Sequence, residues 1–276
     1  LWVSDADITI SGDGNTLVVG ARFWGTNIPG YSNNGRVYIY HNFGGNWIAS
    51  DTLTGGNNET FGWSVDINYS GDIIIVGAST YGSNGGFTKV YENINGNWTQ
   101  KGQTLQGYKG GSYKSVSINN SGSIIAFLTH DVYFGYSIDA KIYEFDGSSW
   151  NQLGSDIING WPFSSTYSID VNDSGNAVIV GNTDASGGPH IYYGEIAVYN
   201  FDGIDWFQRG QNIIGEVLGD DFGHDVSINS TGDIIASTAP DNNGNGTLSG
   251  HARVFQWNGS SWAQLGLDID GESSGD

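Results

Sequence analysis

The 276-residue sequence contains no cysteine and no methionine, and sets only nine lysines and arginines against 29 acidic side chains. Without cysteine there are no disulfides and no thiol nucleophile, and cysteine usage says nothing about the redox compartment. The two most oxidisable side chains are both missing, which suits exposure outside the cell. A formal charge of −20 repels nucleic-acid phosphates and anionic lipid headgroups, which argues against both as partners. The same charge favours solubility, and reads either as an ordinary solvated acidic surface or as an attraction for divalent cations. No apolar run is long enough to insert in a membrane, no signal-peptide pattern opens the chain at Leu1, and no stretch keeps a helical period. With no initiator methionine, the sequence reads as a processed product or a segment of something longer.

What is present is a repeat. A Gly/Asn/Ser-rich turn ending in tryptophan recurs at Trp47, Trp98, Trp150, Trp206 and Trp262, at intervals of 51, 52, 56 and 56 residues. Superposed on that register, each copy shows four short strand-like runs. In the second copy these are Ser64 to Asn68, the continuously apolar Ile73 to Gly77, Thr88 to Glu92, and a fourth around Thr99 to Leu105. An apolar run without alternation is expected for a strand covered on both faces.

Four strands per repeat and a period above 50 residues predict an all-β fold, a five-bladed β-propeller with four antiparallel strands per blade. A β-solenoid fits less well, because its coils are usually much shorter. One domain is expected over 1–276, with repeats at approximately 1–60, 61–111, 112–166, 167–221 and 222–276. No outer strand is left over to build a blade from both termini. The ring is therefore expected to close by packing blade five on blade one, the alternative being a segment of a larger propeller.

Particular residues carry a family resemblance. Phe61-Gly62 precedes the first run of repeat two and Gly77-Ala78-Ser79 follows its second; repeat five has Phe222-Gly223 and Thr238-Ala239-Pro240, and repeat one has Gly20-Ala21. In these letters the chain resembles the FG-GAP repeats of integrin α-chains, as a divergent member with the motif intact in two of five copies. The resemblance implies extracellular binding or adhesion rather than catalysis. It also implies Ca²⁺ in the turns Asp66 to Asp72 and Asp170 to Asn176. Both have serine at the fifth position and no acid three residues after the glycine, so they read equally as metal-free Asn-x-Ser-Gly hairpins. No cofactor is assigned beyond that possible Ca²⁺.

Candidates for chemistry are few. Asp7, Asp66, Asp170 and Asp225 lie near the first strands, as a propeller glycosidase would require. Alternatively they pair with Lys89, Lys141 and Arg253, each nine residues before a marker tryptophan. The five histidines, His41, His130, His190, His224 and His251, show no metal-ligand spacing. The chain is accordingly expected not to be an enzyme. Repeated third-strand aromatics such as Tyr91 and Tyr199 read as packing between blades. The off-register Trp24, Trp63 and Trp161 are the candidate ligand contacts, since flat rings with polar edges suit a sugar or a protein.

Eight Asn-x-Ser/Thr sequons occur, four of them (Asn68, Asn119, Asn172, Asn229) at one hairpin position where such a turn has a structural reason. Asn58, Asn245 and Asn258 are the better glycosylation candidates. The leading functional expectation is an extracellular or cell-surface interaction module, adhesive or a subunit of a surface or filamentous assembly, with protein or glycan partners and possible self-association. A lectin is the first alternative and a propeller glycosidase the second.

Overall fold

In the computed structural model, which describes residues 6–23, 34–79, 86–106, 115–131, 137–158, 167–183 and 193–275, every regular element is a β-strand. Blade one runs Ile8–Ile10, Thr16–Ala21, Arg36–Phe43 and Asn46–Thr54, each strand antiparallel to the one before. Blade two is Ser64–Ile67, Ile73–Ala78, Phe87–Ile94 and Asn97–Gln100, and blade three is Val116–Ile118, Ile124–Asp131, Ser137–Phe145 and Trp150–Gln152. Blade four is Tyr167–Val171, Ala177–Asn182, Glu195–Phe201 and Trp206–Gln208, and blade five is Val226–Ile228, Ile234–Ala239, His251–Trp257 and Trp262–Gln264. This is the five-bladed, four-stranded arrangement that the repeat predicts.

The first strand of each blade packs beside the first strands of its neighbours, so these strands are the inner ones and the marker tryptophans lie on the outer strand. The apolar second strands explain themselves by coverage. Ile73–Ala78 and Ala177–Asn182 are buried along their whole length, because alternate side chains enter different junctions. Ile74 and Val76 pack towards blade one, whereas Ile73 and Ile75 pack towards blade three.

Four apolar cores result, one at each junction from blade one to blade five. Among the described residues, none joins blade five to blade one. The expected closed ring is thus not what the structure shows. The physical reason is visible in blade one, where Ile8 and Ile10 are 62% and 52% exposed. At the same register in the other four blades stand Val65 and Ile67, Val116 and Ile118, Ile169 and Val171, and Val226 and Ile228, all buried.

The marker tryptophan acts as a clasp between blades. The indole N–H of Trp150 donates to the Lys101 carbonyl at 2.8 Å, that of Trp206 to Leu153 at 2.7 Å, and that of Trp262 to Arg209 at 2.8 Å. The residue after each of those carbonyls is a glycine at positive φ, Gly102, Gly154 or Gly210. A Cβ there would lie only 2.6, 2.8 or 3.1 Å from the ring of the following blade's tryptophan. The same glycine interrupts the outer strand, which resumes as Leu105–Gln106, Ile157–Ile158 and Ile213–Ile214. Trp150 is 2% exposed and Trp47, which has no preceding blade, is 42% exposed.

Asparagine shapes the turn between the first two strands. Asn172 Oδ1 accepts the N–H groups of Asn176 and Ala177 at 3.0 and 2.9 Å, while its Nδ2 donates to Ser174, Asn176 and the Ser230 carbonyl of the next blade. Asn68, Asn119 and Asn229 make the same pair of backbone contacts. Removing the Asn172 side chain orphans two turn donors, one of them buried. Asn172→Ala is therefore expected to lose about 2 kcal/mol of unfolding free energy in urea titration.

Carboxylates share these turns. Hydrogen bonds from Ser11 and Asn15 hold Asp13 below the usual carboxylate range, and those from Thr231 and Asn229 do the same for Asp233. At Asp72 burial pushes upward, and hydrogen bonds from Ser70 and Asn68 outweigh it. A depressed folded pKa contributes stability that is present above the unfolded value near 3.8 and lost as pH falls through the folded value. Thermal melting should stay level down to about pH 4 and fall below it. Asp233→Asn should flatten that fall.

Candidate functional site

Side chains meeting at the inner strands come from different repeats, so their sequence spacing hides their proximity. One register position reads Thr9, Asp66, Ser117, Asp170 and Ser227 from blade one to blade five. Asp66 Oδ1 accepts the Thr9 hydroxyl of the blade before it at 3.0 Å. Its Oδ2 accepts the Ile118 N–H at 2.9 Å and the Ser117 hydroxyl at 3.2 Å from the blade after it. Asp170 repeats the arrangement, taking the Ser117 hydroxyl at 2.9 Å and the Ile228 N–H at 3.0 Å. The Ser117 hydroxyl thus stands between two carboxylates and in turn accepts the Val171 N–H at 3.2 Å.

These acids do not pair with the repeated bases that the sequence suggested. Lys141 pairs with Asp156, Arg253 with Glu216 at 3.2 Å, and Lys89 lies over the Phe87 ring at 4.4 Å. The bases sit on the third strand, whereas the acids face the hydroxyls and amides of inner strands. Asp7 Oδ2 accepts the Val65 N–H at 2.8 Å, and Asp225 accepts the N–H of its own neighbour Val226. Asp66→Ala should lose about 2–3 kcal/mol of stability in urea, because three donors from two other blades lose their acceptor.

The two ends of the propeller differ. One carries the asparagine hairpins, whose polar groups satisfy one another. The other carries the connections between second and third strands, which vary in sequence from blade to blade, together with the starts of the inner strands. At that end the Arg22 guanidinium lies 4.7 Å from the Phe23 ring and 4.0 Å from the Trp63 ring. Trp63 is half-buried there, while Trp24 and Trp161 lie outside the described residues.

Phe61 and Phe222, the residues that carry the FG resemblance, are buried plugs of the first and fourth junctions. The glycine after each, Gly62 or Gly223, adopts positive φ and brings its carbonyl against Gly20 or Gly181 of the preceding blade. Any Cβ at Gly20 or Gly181 would meet that oxygen.

In the segments matched to Ca²⁺ loops, the side chains have other partners. Asp66 serves the neighbouring blades, while Asn68, Ser70 and Asp72 bond to one another at 2.6 to 3.0 Å. Spacing missed a different group, in which one ligand atom each of Glu216, His251 and Asp268 lie within 4.8 Å of one another. His251 is buried, but Arg253 already pairs with Glu216 and Gln264 donates to Asp268 at 2.6 Å. In blade four the positions of His251 and Asp268 hold Glu195 and Asn212, hydrogen bonded at 3.1 Å. Burial raises the Glu195 carboxyl, and Asn212 partly offsets the rise.

Asn58, Asn245 and Asn258 are exposed, whereas the hairpin asparagines Asn68, Asn119 and Asn172 are buried. Asn58 sits at positive φ in the turn before blade two. Asn245 donates to the carbonyls of Gly271 and Glu272.

No protein-family model and no curated protein matches the chain. Solved structures do resemble it. TolB from Acinetobacter baumannii superposes over 97% of this chain and 54% of its own, with a TM-score of 0.56 and 10% identity. The periplasmic gluconolactonase PpgL from Pseudomonas aeruginosa superposes over 93% and 68%, with a TM-score of 0.57 and 16% identity. A putative 6-phosphogluconolactonase from Bacteroides uniformis superposes over 95% and 84%, with a TM-score of 0.54 and 11% identity. The shared feature is the propeller fold.

Two of these neighbours correct the expectation that the chain is not an enzyme. The lactonases show that a propeller of this kind supports catalysis. The lack of a contiguous catalytic motif is poor ground for excluding it. Thr9, Asp66, Ser117 and Asp170 illustrate why, since a propeller gathers polar side chains one blade at a time.

Proposed function

We propose that the chain is the propeller of an extracellular or cell-surface interaction protein that binds a protein or glycan partner at its loop-bearing end. The observation that carries this reading is the Arg22–Trp63 stack at 4.0 Å. It departs from the repeat. The positions of Trp63 in blades four and five hold Tyr167 and His224, and those of Arg22 in blades two, four and five hold Ser79, Thr183 and Pro240. In a molecule built by copying, a planar cation against an indole at one blade's inner-strand start is not required by the architecture. It offers flat aromatic surface and charged hydrogen-bond donors on an otherwise acidic protein.

The location reading draws support from the absence of cysteine and methionine, from the FG-GAP resemblance, and from the periplasmic gluconolactonase among the structural neighbours. Asn58, Asn245 and Asn258 are the positions at which a glycosylating host would modify this surface. A lectin reading shares the same contact pair, because an indole face and an arginine fork suit the apolar and hydroxyl faces of a sugar.

Pull-down from native material and a glycan array, each with and without Ca²⁺, separate the protein partner from the sugar. Trp63→Ala should weaken whichever binding is found by about tenfold or more while leaving the melting temperature nearly unchanged. Wild-type protein that captures neither class of partner overturns the reading.

A further inference from the structure

Among the described residues, blades one and five each have one unpartnered sheet face, and the two faces are complementary in a way fixed by the four junctions already formed. At each of those junctions the following blade offers its inner-strand residues, such as Val65 and Ile67. The preceding blade receives them on its second and third strands, at residues such as Val18, Val37 and Ile39. Blade one has the offering face, with Ile8 and Ile10 exposed and Leu17 and Val19 half-buried where Ile74 and Val76 are fully buried. Blade five has the receiving face. Ala236, Ala252 and Val254 are half-buried at the register of the fully buried Ile179, Ile196 and Val198. Ile269 is 61% exposed where Leu105, Ile157 and Ile213 are buried. Gly266 has nothing within 4 Å of where a Cβ would be, although its counterparts Gly102, Gly154 and Gly210 each carry the next blade's tryptophan.

The inner-strand hydrogen bonds specify what belongs there. Hydroxyl and carboxylate alternate as Thr9, Asp66, Ser117, Asp170 and Ser227, and each aspartate bonds to the blades on both sides. Closing five blades on themselves would set Ser227 beside Thr9, two hydroxyls with no carboxylate between them. An odd ring cannot alternate. A sixth position holding an aspartate can accept the Ser227 hydroxyl as Asp66 accepts Thr9. It can also accept the Ile10 N–H as Asp66 accepts Ile118 and Asp170 accepts Ile228.

We propose that the faces of blades five and one together receive a sixth four-stranded blade of this same repeat, with aspartate at its inner-strand position, borne on the same polypeptide. The even ring covers both exposed faces with apolar surface and completes the alternation. This inference is independent of the partner binding proposed above.

Two six-repeat chains test it, one with residues 167–221, which contain Asp170, appended after Asp276, and one with residues 112–166, which contain Ser117. In the 276-residue protein, amide hydrogen exchange should be fast over 8–10 and slow over 65–67. Adding the Asp170 copy should slow exchange over 8–10 to the level of 65–67. It should also raise the folding equilibrium constant about tenfold more than the Ser117 copy does. Ile8→Asp should change the stability of the five-repeat chain little, and lower that of the Asp170 six-repeat chain by tenfold or more. Slow exchange over 8–10 in the monomeric 276-residue protein would mean that five blades close unaided, which overturns the proposal. Sedimentation showing a dimer that protects 8–10 overturns it in favour of a second copy. Equal gains from the two added repeats overturn the assigned aspartate.

Discussion

A sheet that is apolar on both faces cannot stand alone in water, and everything in this molecule follows from covering it. The second strands of blades two and four bury every side chain, and each buried aliphatic side chain is worth roughly 1.5–3 kcal/mol of transfer free energy. A single blade would expose half of that surface. Stacking blades around an axis covers one blade's face with the next, which is why the chain is written as copies and why the cores lie at the junctions. The polar devices are secondary to this demand but set its geometry. The tryptophan resting on a glycine of the preceding blade fixes the outer spacing, and the aspartate-to-hydroxyl contacts fix the inner one.

Much of this was legible in the sequence because it is periodic. The Trp47 to Trp262 register gave the number of blades, and the runs of β-branched residues gave their strands. The hairpin asparagines were readable as turn-formers, and their burial at Asn68, Asn119 and Asn172 follows from the contacts that such a turn makes. What could not be read is whatever depends on a neighbour. Trp47 and Trp150 stand in the same motif, yet one is exposed and the other buried, because only the second has a preceding blade to rest on. Ile8 looks like Val65 in sequence for the same reason. The letters record what a strand needs, whereas exposure records whether the need is met.

The aspartates show a second kind of illegibility. For Asp66 and Asp170 the spacing shared with the marker tryptophans suggests basic partners. That spacing describes the third strand, which lies two strands away from the inner one. The true partners are hydroxyls and amides on other blades, some 50 residues distant, and no local pattern points to them. The grouping of His251 with Glu216 and Asp268 has no local pattern either, since one strand and two connecting segments bring them together.

The asymmetry between the two ends limits where function can be placed. At the hairpin end, Asn-x-Ser-Gly turns satisfy their own donors and acceptors, so little is left to offer a ligand and a substitution there costs stability. At the opposite end, the connections between second and third strands differ in length and sequence from blade to blade. The Arg22–Trp63 stack lies at that end and departs from the repeat, which is why the proposed partner contact is assigned to it. Phe61, two residues away, is a buried plug that the junction requires. Buried plug and proposed contact thus lie within three residues of one turn.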